Sequence, residues 1–272
     1  MDASAIAKLQ ETQAAAAFAA DLEAGRPASA LPTEFKVHDL EKFAPERRRF
    51  RGSYHTHLVD AFARYIASIR GFVDAPVYIN AEHVTAAAYL NAGTTENPGH
   101  CDDTAWLKLQ ATAAFAAICK LETHGHRLAQ REAAEWMEDW REQVTAFDGE
   151  GDELPTNRAI AAIRKLKIEA SRAAEHSVDD MKTSASLLES IEAKSEQGLP
   201  HHLIFTCEPY HGLAQRDFYL RVGISNSDAG CTVLLRPVKM EQAREDIARE
   251  FSELVKNALP STCQVLIGVF TP

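Results

Sequence analysis

Apolar residues recur along the chain at two spacings, one typical of helices and one typical of strands. The helical spacing predicts helices over residues 4–24, 56–70, 111–121, 130–147, 156–168, 184–194 and 240–259. Alternating or continuous apolar runs predict strands over residues 35–38, 76–80, 84–90, 106–109, 202–207, 217–224, 231–238 and 264–270. The mixture predicts an α+β fold in which helices pack on antiparallel sheets.

Two of these segments carry definite structural expectations. Residues 130–147 place Trp136, Trp140 and Phe147 on one face of a single long helix. Residues 264–270 are almost continuously apolar, which predicts a strand buried on both faces. Because three strands and a helix precede this last strand, we expect a C-terminal β-β-β-α-β layer in which it joins the sheet of the other three.

Glycine, proline and charge divide the chain into three segments. The first segment, residues 1–30, contains an alanine-rich helix that Gly25 and Pro27 stop. One α+β region follows over residues 31–150 and a second over 151–272. Their boundary rests on residues 148–155, whose glycines, acids and proline are typical of a linker. The two regions can equally form one continuous domain.

Composition limits the classes of function. Apolar residues make up 46% of the 272 positions, which is enough for a sizeable core. A formal net charge of −10 argues against a globally basic nucleic-acid binder, because neutralising phosphates needs clustered cations. The five cysteines form no C-x-x-C pair, so we expect reduced, mostly buried thiols in a cytoplasmic protein. No apolar run has the length of a membrane span, so we expect no membrane partner.

One short segment is positively charged, although the chain as a whole is negatively charged. It consists of Arg47, Arg48, Arg49, Phe50 and Arg51, which we call the arginine run, with Tyr54 three residues later. Guanidinium groups bind phosphates and aromatic rings stack on bases, so the segment is a candidate nucleic-acid-binding strand, with single-stranded DNA as its partner. The same composition also suits a charged edge strand that blocks edge-to-edge pairing, or a contact with an acidic surface of another subunit.

Side chains able to do chemistry gather in the central loop at residues 91–103, namely Asn91, Gly93, His100, Cys101 and Asp102. His100 and Asp102 have the types needed for a metal site or for a general base with its orienting carboxylate, and Cys101 is a candidate nucleophile. The turn-forming composition favours a structural loop instead. We therefore assign no catalytic residue, no metal ligand and no cofactor from the sequence.

Histidines and acids supply the remaining candidates. His201, His202 and His211 near Cys207 form a possible metal cluster, although their spacing matches no common motif. Between residues 132 and 153, nine Asp and Glu residues accompany one arginine. That acidic segment is typical of a solvated face, and it also suits a nucleic-acid mimic. Oppositely charged segments and a thin alanine helix on one chain predict a homo-oligomer with head-to-tail contacts.

Several short motifs resemble those of one family. They are R-F-R-G at 49–52, D-x-F-x-x-Y at 60–65, N-x-G-x4-P-G-H-x-D-x-x-A-x-L at 91–107, F-T-C-x-P-Y at 205–210 and V-L-I-G-x-F at 265–270. Together they are similar to the YfdQ-like proteins of phages and prophages, from about residue 35 to the end. The resemblance implies a phage early-region accessory protein, encoded near recombination genes. It implies no reaction and no catalytic residues.

The leading hypothesis is a non-catalytic phage protein in the cytoplasm of its host cell. It self-assembles and acts on nucleic acid, or on a phage or host partner in replication and recombination, through the arginine run. One alternative is an inhibitor of a host defence enzyme that uses the acidic segment. The other is a metal- or cysteine-dependent enzyme built on the central loop.

Overall fold

The computed structural model describes residues 3–24, 36, 41–70, 75–123, 125–176, 199–227 and 230–272. Contacts within the chain divide it into two units, Met1–Phe50 and Arg51–Pro272. The strand predicted over residues 35–38, apart from its second residue, and the helix predicted over 184–194 lie outside the described residues.

The first unit contains one long helix, α1 (Ala3–Glu23), and a 3₁₀ turn at Glu41–Phe43. The alanine-rich helix is thus confirmed, with the bounds expected from the high helix propensity of alanine. Between residues 6 and 23 its side chains are almost all exposed, including those of Ile6, Leu9 and Leu22. In that part of α1 no side is buried as in a helix that covers a core.

The arginine run does not form a strand. Residues 47–51 are irregular, and the first strand begins only at Gly52. The backbone N–H of Arg48 donates to the Glu41 carboxylate over 3.4 Å. The predicted basic strand is wrong because consecutive charged residues provide no alternating apolar face to cover a sheet.

The second unit opens with a sheet of five strands: β1 (Gly52–Thr56), β2 (Val77–Asn80), β3 (Thr85–Tyr89), β4 (Asp103–Lys108) and, from the C-terminal end, β11 (Val265–Ile267). Their order is β1-β4-β3-β2-β11. The three middle strands are antiparallel, whereas β1 runs parallel to β4 and β11 parallel to β2. Helix α2 (Val59–Arg70) packs on β1 and β4 and buries Phe62 and Ile66.

The other sheet has six strands: β5 (Arg127–Ala129), β6 (Val144–Phe147), β7 (Glu153–Leu154), β8 (His202–Cys207), β9 (Arg216–Ser227) and β10 (Gly230–Pro237). Their order is β5-β10-β9-β8-β6-β7, and all neighbours are antiparallel. The three strands predicted between residues 202 and 238 are confirmed. The α+β fold class with mostly antiparallel sheets is confirmed as well.

Among the described residues, helices lie on one face of this second sheet. They are α3 (Ala113–Thr123), α4 (Gln130–Asp139) and α5 (Thr156–His176), all of which contact β10. Helix α6 (Met240–Ala258) contacts α2. In β8 the side chains of Leu203, Phe205 and Cys207 are buried, and those between them are partly exposed. This period-2 pattern shows a sheet with one covered and one open face.

The single helix predicted over residues 130–147 is wrong. Helix α4 ends at Asp139, and after a turn the chain continues as strand β6. In β6 the buried side chains are Val144 and Ala146, opposite Phe205 and Leu203 of β8. The segment V-T-A-F suits a strand by composition, and pairing with β8 overrides the helical spacing of its apolar residues.

The prediction for the last strand is wrong both about its burial and about the sheet that it joins. β11 comprises three residues at the edge of the first sheet, parallel to β2, so it does not join β8, β9 and β10. Ile267 is 67% exposed and Val269 73% exposed, which excludes burial on both faces. An unbroken apolar run does not specify which strand it pairs with. Here the run pairs with β2 and takes an exposed position at the edge of the first sheet.

Residues 148–155, expected as a linker, comprise the connection of the β6–β7 hairpin at 148–152, strand β7 itself and Pro155. The Asp148 carboxylate accepts the backbone N–H groups of Glu150 and Asp152, each over 2.9 Å. These are the contacts expected of an Asx turn. The strands on either side, β6 and β8, pair within one sheet.

Candidate nucleic-acid interface

The side chains of the arginine run differ in exposure. Arg47 and Arg48 are exposed, and Phe50 is 59% exposed. Arg49 and Arg51 are half-buried. Arg51 belongs to the second unit, and the residues before it belong to the first.

Tyr54 lies on the helix-covered face of the first sheet. Its ring stacks on Tyr65 of α2, with 4.1 Å between ring centroids and 12° between planes. Burial raises the pKa of Tyr65 above 10.0, and Asp103 and Tyr54 raise it further, as expected for a phenol that is costly to ionise there. The ring of Tyr54 is therefore engaged in packing.

The central loop is held by its own hydrogen bonds. The Asn91 side chain accepts the backbone N–H of Asp103 over 3.0 Å and donates to the Asp102 carboxylate over 2.6 Å. The backbone N–H of Gly99 donates to the Ala92 carbonyl over 2.7 Å. Gly93 has φ +71°, a conformation that favours glycine. Asn91, Gly93 and Asp102 thus shape the loop.

His100 and Cys101 do not form a catalytic pair in the described residues. His100 is exposed, and the structure gives its ring no hydrogen bond. Cys101 is a half-buried free thiol with φ +53°. All five cysteines are free, but only Cys207 is fully buried, so the expectation of mostly buried thiols is wrong. In the described part of the chain, no three His, Cys, Asp or Glu side chains are placed to hold a metal.

A row of side chains crosses the open face of the second sheet. Phe147, His202, Arg221 and Arg236 lie directly opposite one another on β6, β8, β9 and β10. Residues in direct register share a face, so the four side chains project side by side. Tyr219, two residues before Arg221 on β9, projects from the same face. We call these five residues the outer row.

The rings of the outer row form a stacked platform. His202 stacks on Phe147, with centroids 4.9 Å apart and planes at 3°, and on Tyr219, at 4.6 Å and 23°. Burial lowers the pKa of His202 below 6.5, His201 lowers it further, and Asp148 opposes both. The lowered pKa favours the neutral ring, which stacks without charge. Its Nδ1 atom is buried and has no hydrogen-bond partner among the described residues.

Cations outnumber acids on this face. Arg127, on edge strand β5, lies two residues from the register of Arg236 and is exposed like Arg221 and Arg236. Within the described residues none of the three forms an ion pair. The outward acids of the strands are Glu153, at the β7 edge, and Asp217, which accepts a hydrogen bond from Thr206 over 2.5 Å. The positive balance is local to a chain of net charge −10.

The open face of the first sheet is aromatic too, but its rings are packed differently. Tyr89 is only 3% exposed and donates its hydroxyl to the Phe270 carbonyl over 2.9 Å. Its ring meets Phe270 and Trp106 nearly edge-on, at 78° and 72°. Tyr78 stacks on Phe270 at 4.8 Å. This cluster fixes the C-terminal segment to the sheet, while Trp106 and Phe270 remain 38% and 36% exposed.

The acidic segment is divided between α4 and the β6–β7 hairpin. The Glu132 carboxylate accepts the backbone N–H of Ala129 over 3.0 Å, and Glu138 pairs with Arg164 at 2.8 Å. Asp148 holds the hairpin turn through its two backbone hydrogen bonds. Several of its acids therefore have local partners, and the segment does not present one continuous helical face.

Sequence reasoning missed the outer row for two reasons. Phe147 fell inside the wrongly extended helix, and His202 was weighed as a metal ligand beside His201. The alternation of Tyr219, Leu220 and Arg221 already indicated a common outward side for the first and third. What the sequence lacked was the register between strands, which places residues more than 50 positions apart in one row.

Comparison with known protein families shows which family the chain belongs to. It matches the model of an uncharacterized conserved protein family, DUF2303, over residues 2–270, and the chain belongs to that family. The match includes α1, which the motif resemblance had left outside. Searches of the curated proteins and of the solved structures find no match. None of the described helices combines the length and apolarity required to cross a membrane.

Proposed function

We propose that this protein binds single-stranded nucleic acid, without catalysis, on the open face of the second sheet. The outer row is the observation that carries the proposal. Aromatic rings that keep part of their surface exposed, as Tyr219 does at 36%, can stack on bases, and guanidinium groups beside them neutralise phosphates. A sheet supports such a platform rigidly, because its side chains are fixed at regular spacing.

The arginine run provides a second contact in this proposal. Arg47 and Arg48 are exposed and Phe50 presents more than half of its surface, so the segment offers cations and one ring to a polyanion. Such a protein fits a phage accessory role in the host cytoplasm, which the motif resemblance implies. A replication or recombination step would supply the single strand.

Self-association belongs to the same proposal. Helix α1 exposes Ile6, Leu9 and Leu22, and the edge strand β11 is followed by the exposed Val269. Exposed apolar side chains on a helix and unpaired backbone groups at a sheet edge are both features that favour pairing between copies. Binding along a strand by several copies would follow from it.

The proposal is tested by measuring the affinity for a short oligodeoxynucleotide at several salt concentrations. Replacing Arg221 and Arg236 together by alanine is expected to lower the slope of log affinity against log salt by roughly 1.4, about 0.7 for each phosphate that is no longer neutralised. The affinity itself should fall by about tenfold or more at low salt. Arg131 and Arg249, exposed on α4 and α6, provide the matched control pair.

The control variant removes the same two charges away from the sheet, so it should retain the wild-type salt slope. Replacing all four arginines of the arginine run by alanine measures the second contact separately. Equal slopes for the Arg221/Arg236 variant and the control would refute the interface on the second sheet. A weaker affinity confined to the arginine-run variant would place binding there instead.

A further inference from the structure

A cavity of about 520 Å³ lies between α3, α4 and β5, and no outer-row residue lines it. Its walls include Trp136 and Trp140, whose rings also contact the buried Phe205. Opposite them, α3 presents Ala113 and Ala116, whose small side chains leave the space empty. The volume falls in the range typical of small-molecule sites, and the aromatic lining suits a flat ligand.

The polar groups of the cavity are mostly basic. Lys120, Arg127 and one acid, Glu132, line it and are exposed, and the half-buried His126 lines it as well. The Glu132 carboxylate already accepts the backbone N–H of Ala129. The lining thus carries two cations and one carboxylate, and Lys120 also interacts within the protein. This positive balance favours an anionic ligand.

His126 provides a second observation that points to a ligand in the cavity, independent of the charges that line it. The residue has φ +65°, a conformation that costs energy for a side chain with a Cβ, and its backbone is held by Leu121 and Leu235. Its Nδ1 atom is buried without a hydrogen-bond partner among the described residues. A buried polar atom without a partner at the edge of an empty cavity is a site that a ligand atom would satisfy.

We propose that this cavity binds a mononucleotide, with the base between the tryptophan rings and the alanines of α3 and the phosphate at Lys120 and Arg127. A planar base matches the slot, and a phosphate matches the cationic rim. The nucleotide is either free or the 5′-terminal residue of a strand, because both present the same base and phosphate. The site shares Arg127 with the cationic face beside the outer row, but none of the five outer-row residues lines it.

Tryptophan fluorescence tests the site directly, because the chain has three tryptophans and two of them line it. In a Trp106→Phe background, titration with deoxyadenosine monophosphate should quench the emission to saturation, with a Kd of about 1 mM or below. Deoxyadenosine should bind about tenfold more weakly, since it lacks the phosphate. Saturable quenching by a 5′-phosphorylated oligonucleotide, but not by its unphosphorylated form, would identify the terminal nucleotide as the source; quenching by the mononucleotide alone would identify the free one.

Two variants distinguish binding in this cavity from nonspecific quenching and from binding at the outer row. Ala116→Leu fills the slot and should weaken mononucleotide binding about tenfold or more while strand affinity stays unchanged. Lys120→Ala should weaken the mononucleotide but not deoxyadenosine. Absence of saturation up to about 5 mM, or equal affinity in Ala116→Leu with its fold intact by circular dichroism, overturns the proposal.

Discussion

Replacing Phe147, His202 and Tyr219 together by alanine is expected to lower the affinity for single-stranded DNA by roughly a hundredfold. Stacking contributes about 1–3 kcal/mol for each base, and the three rings offer room for at least two bases. About 1.4 kcal/mol corresponds to a tenfold change in affinity. The measurement is a fluorescence anisotropy titration with a labelled oligonucleotide at fixed salt.

The matched control for this variant lies on the first sheet. His55 and Trp106 stack on each other at 6.4 Å on its open face and are exposed, so replacing both by alanine also removes aromatic surface. That control should bind DNA like the wild type. If its affinity falls as far as that of the outer-row variant, or if the outer-row variant binds normally while folded, the platform is not the binding surface.

The second large effect concerns the stability of the central loop. In Gly99→Ala, the new Cβ would lie 1.8 Å from the Asn91 carbonyl oxygen and 2.8 Å from the carbonyl carbon of Ala92. Those atoms are backbone and cannot turn aside, so the loop must open and break the hydrogen bond from Gly99 to Ala92. We expect the unfolding free energy to fall by roughly 2–4 kcal/mol, measured by urea denaturation.

Gly149 gives the matched control, because a Cβ there would meet no atom within 4 Å. Gly149→Ala should change the unfolding free energy by less than about 0.5 kcal/mol. A Gly99→Ala protein as stable as the control would show that the conformation of the central loop does not contribute to the stability of the fold. Such a result would also reopen the role of His100 and Cys101.

Local patterns in the sequence predicted most of the helices and strands, because alternation and helical spacing are local properties. They failed where partners distant in the chain decide the outcome. Residues 144–147 have helical spacing, yet they form a strand because β8 pairs with them. The composition of β11 predicts a core strand, but its pairing with β2 leaves Ile267 at the surface. Neither pairing has a signature within the segment itself.

The candidate site, like the fold, could be predicted from the sequence only where it depends on local patterns. The arginine run was visible in the sequence as a charge cluster, and Arg47 and Arg48 are exposed in the structure. The outer row was invisible because Phe147, His202 and Arg236 are scattered through the sequence and become neighbours only through strand register. The residues of the central loop were conspicuous by type, yet Asn91 and Asp102 are used in hydrogen bonds that shape the loop.

Photochemical cross-linking tests the interface most directly. A single-stranded oligonucleotide containing 5-iodouracil is irradiated in complex with the full chain, and adducts are mapped by mass spectrometry. Aromatic rings stacked on the modified base react preferentially, so we expect adducts at Tyr219 and Phe147 on the second sheet. Adducts confined to Trp106 and Tyr78 on the first sheet, or none on either sheet, would contradict the assignment of the outer row.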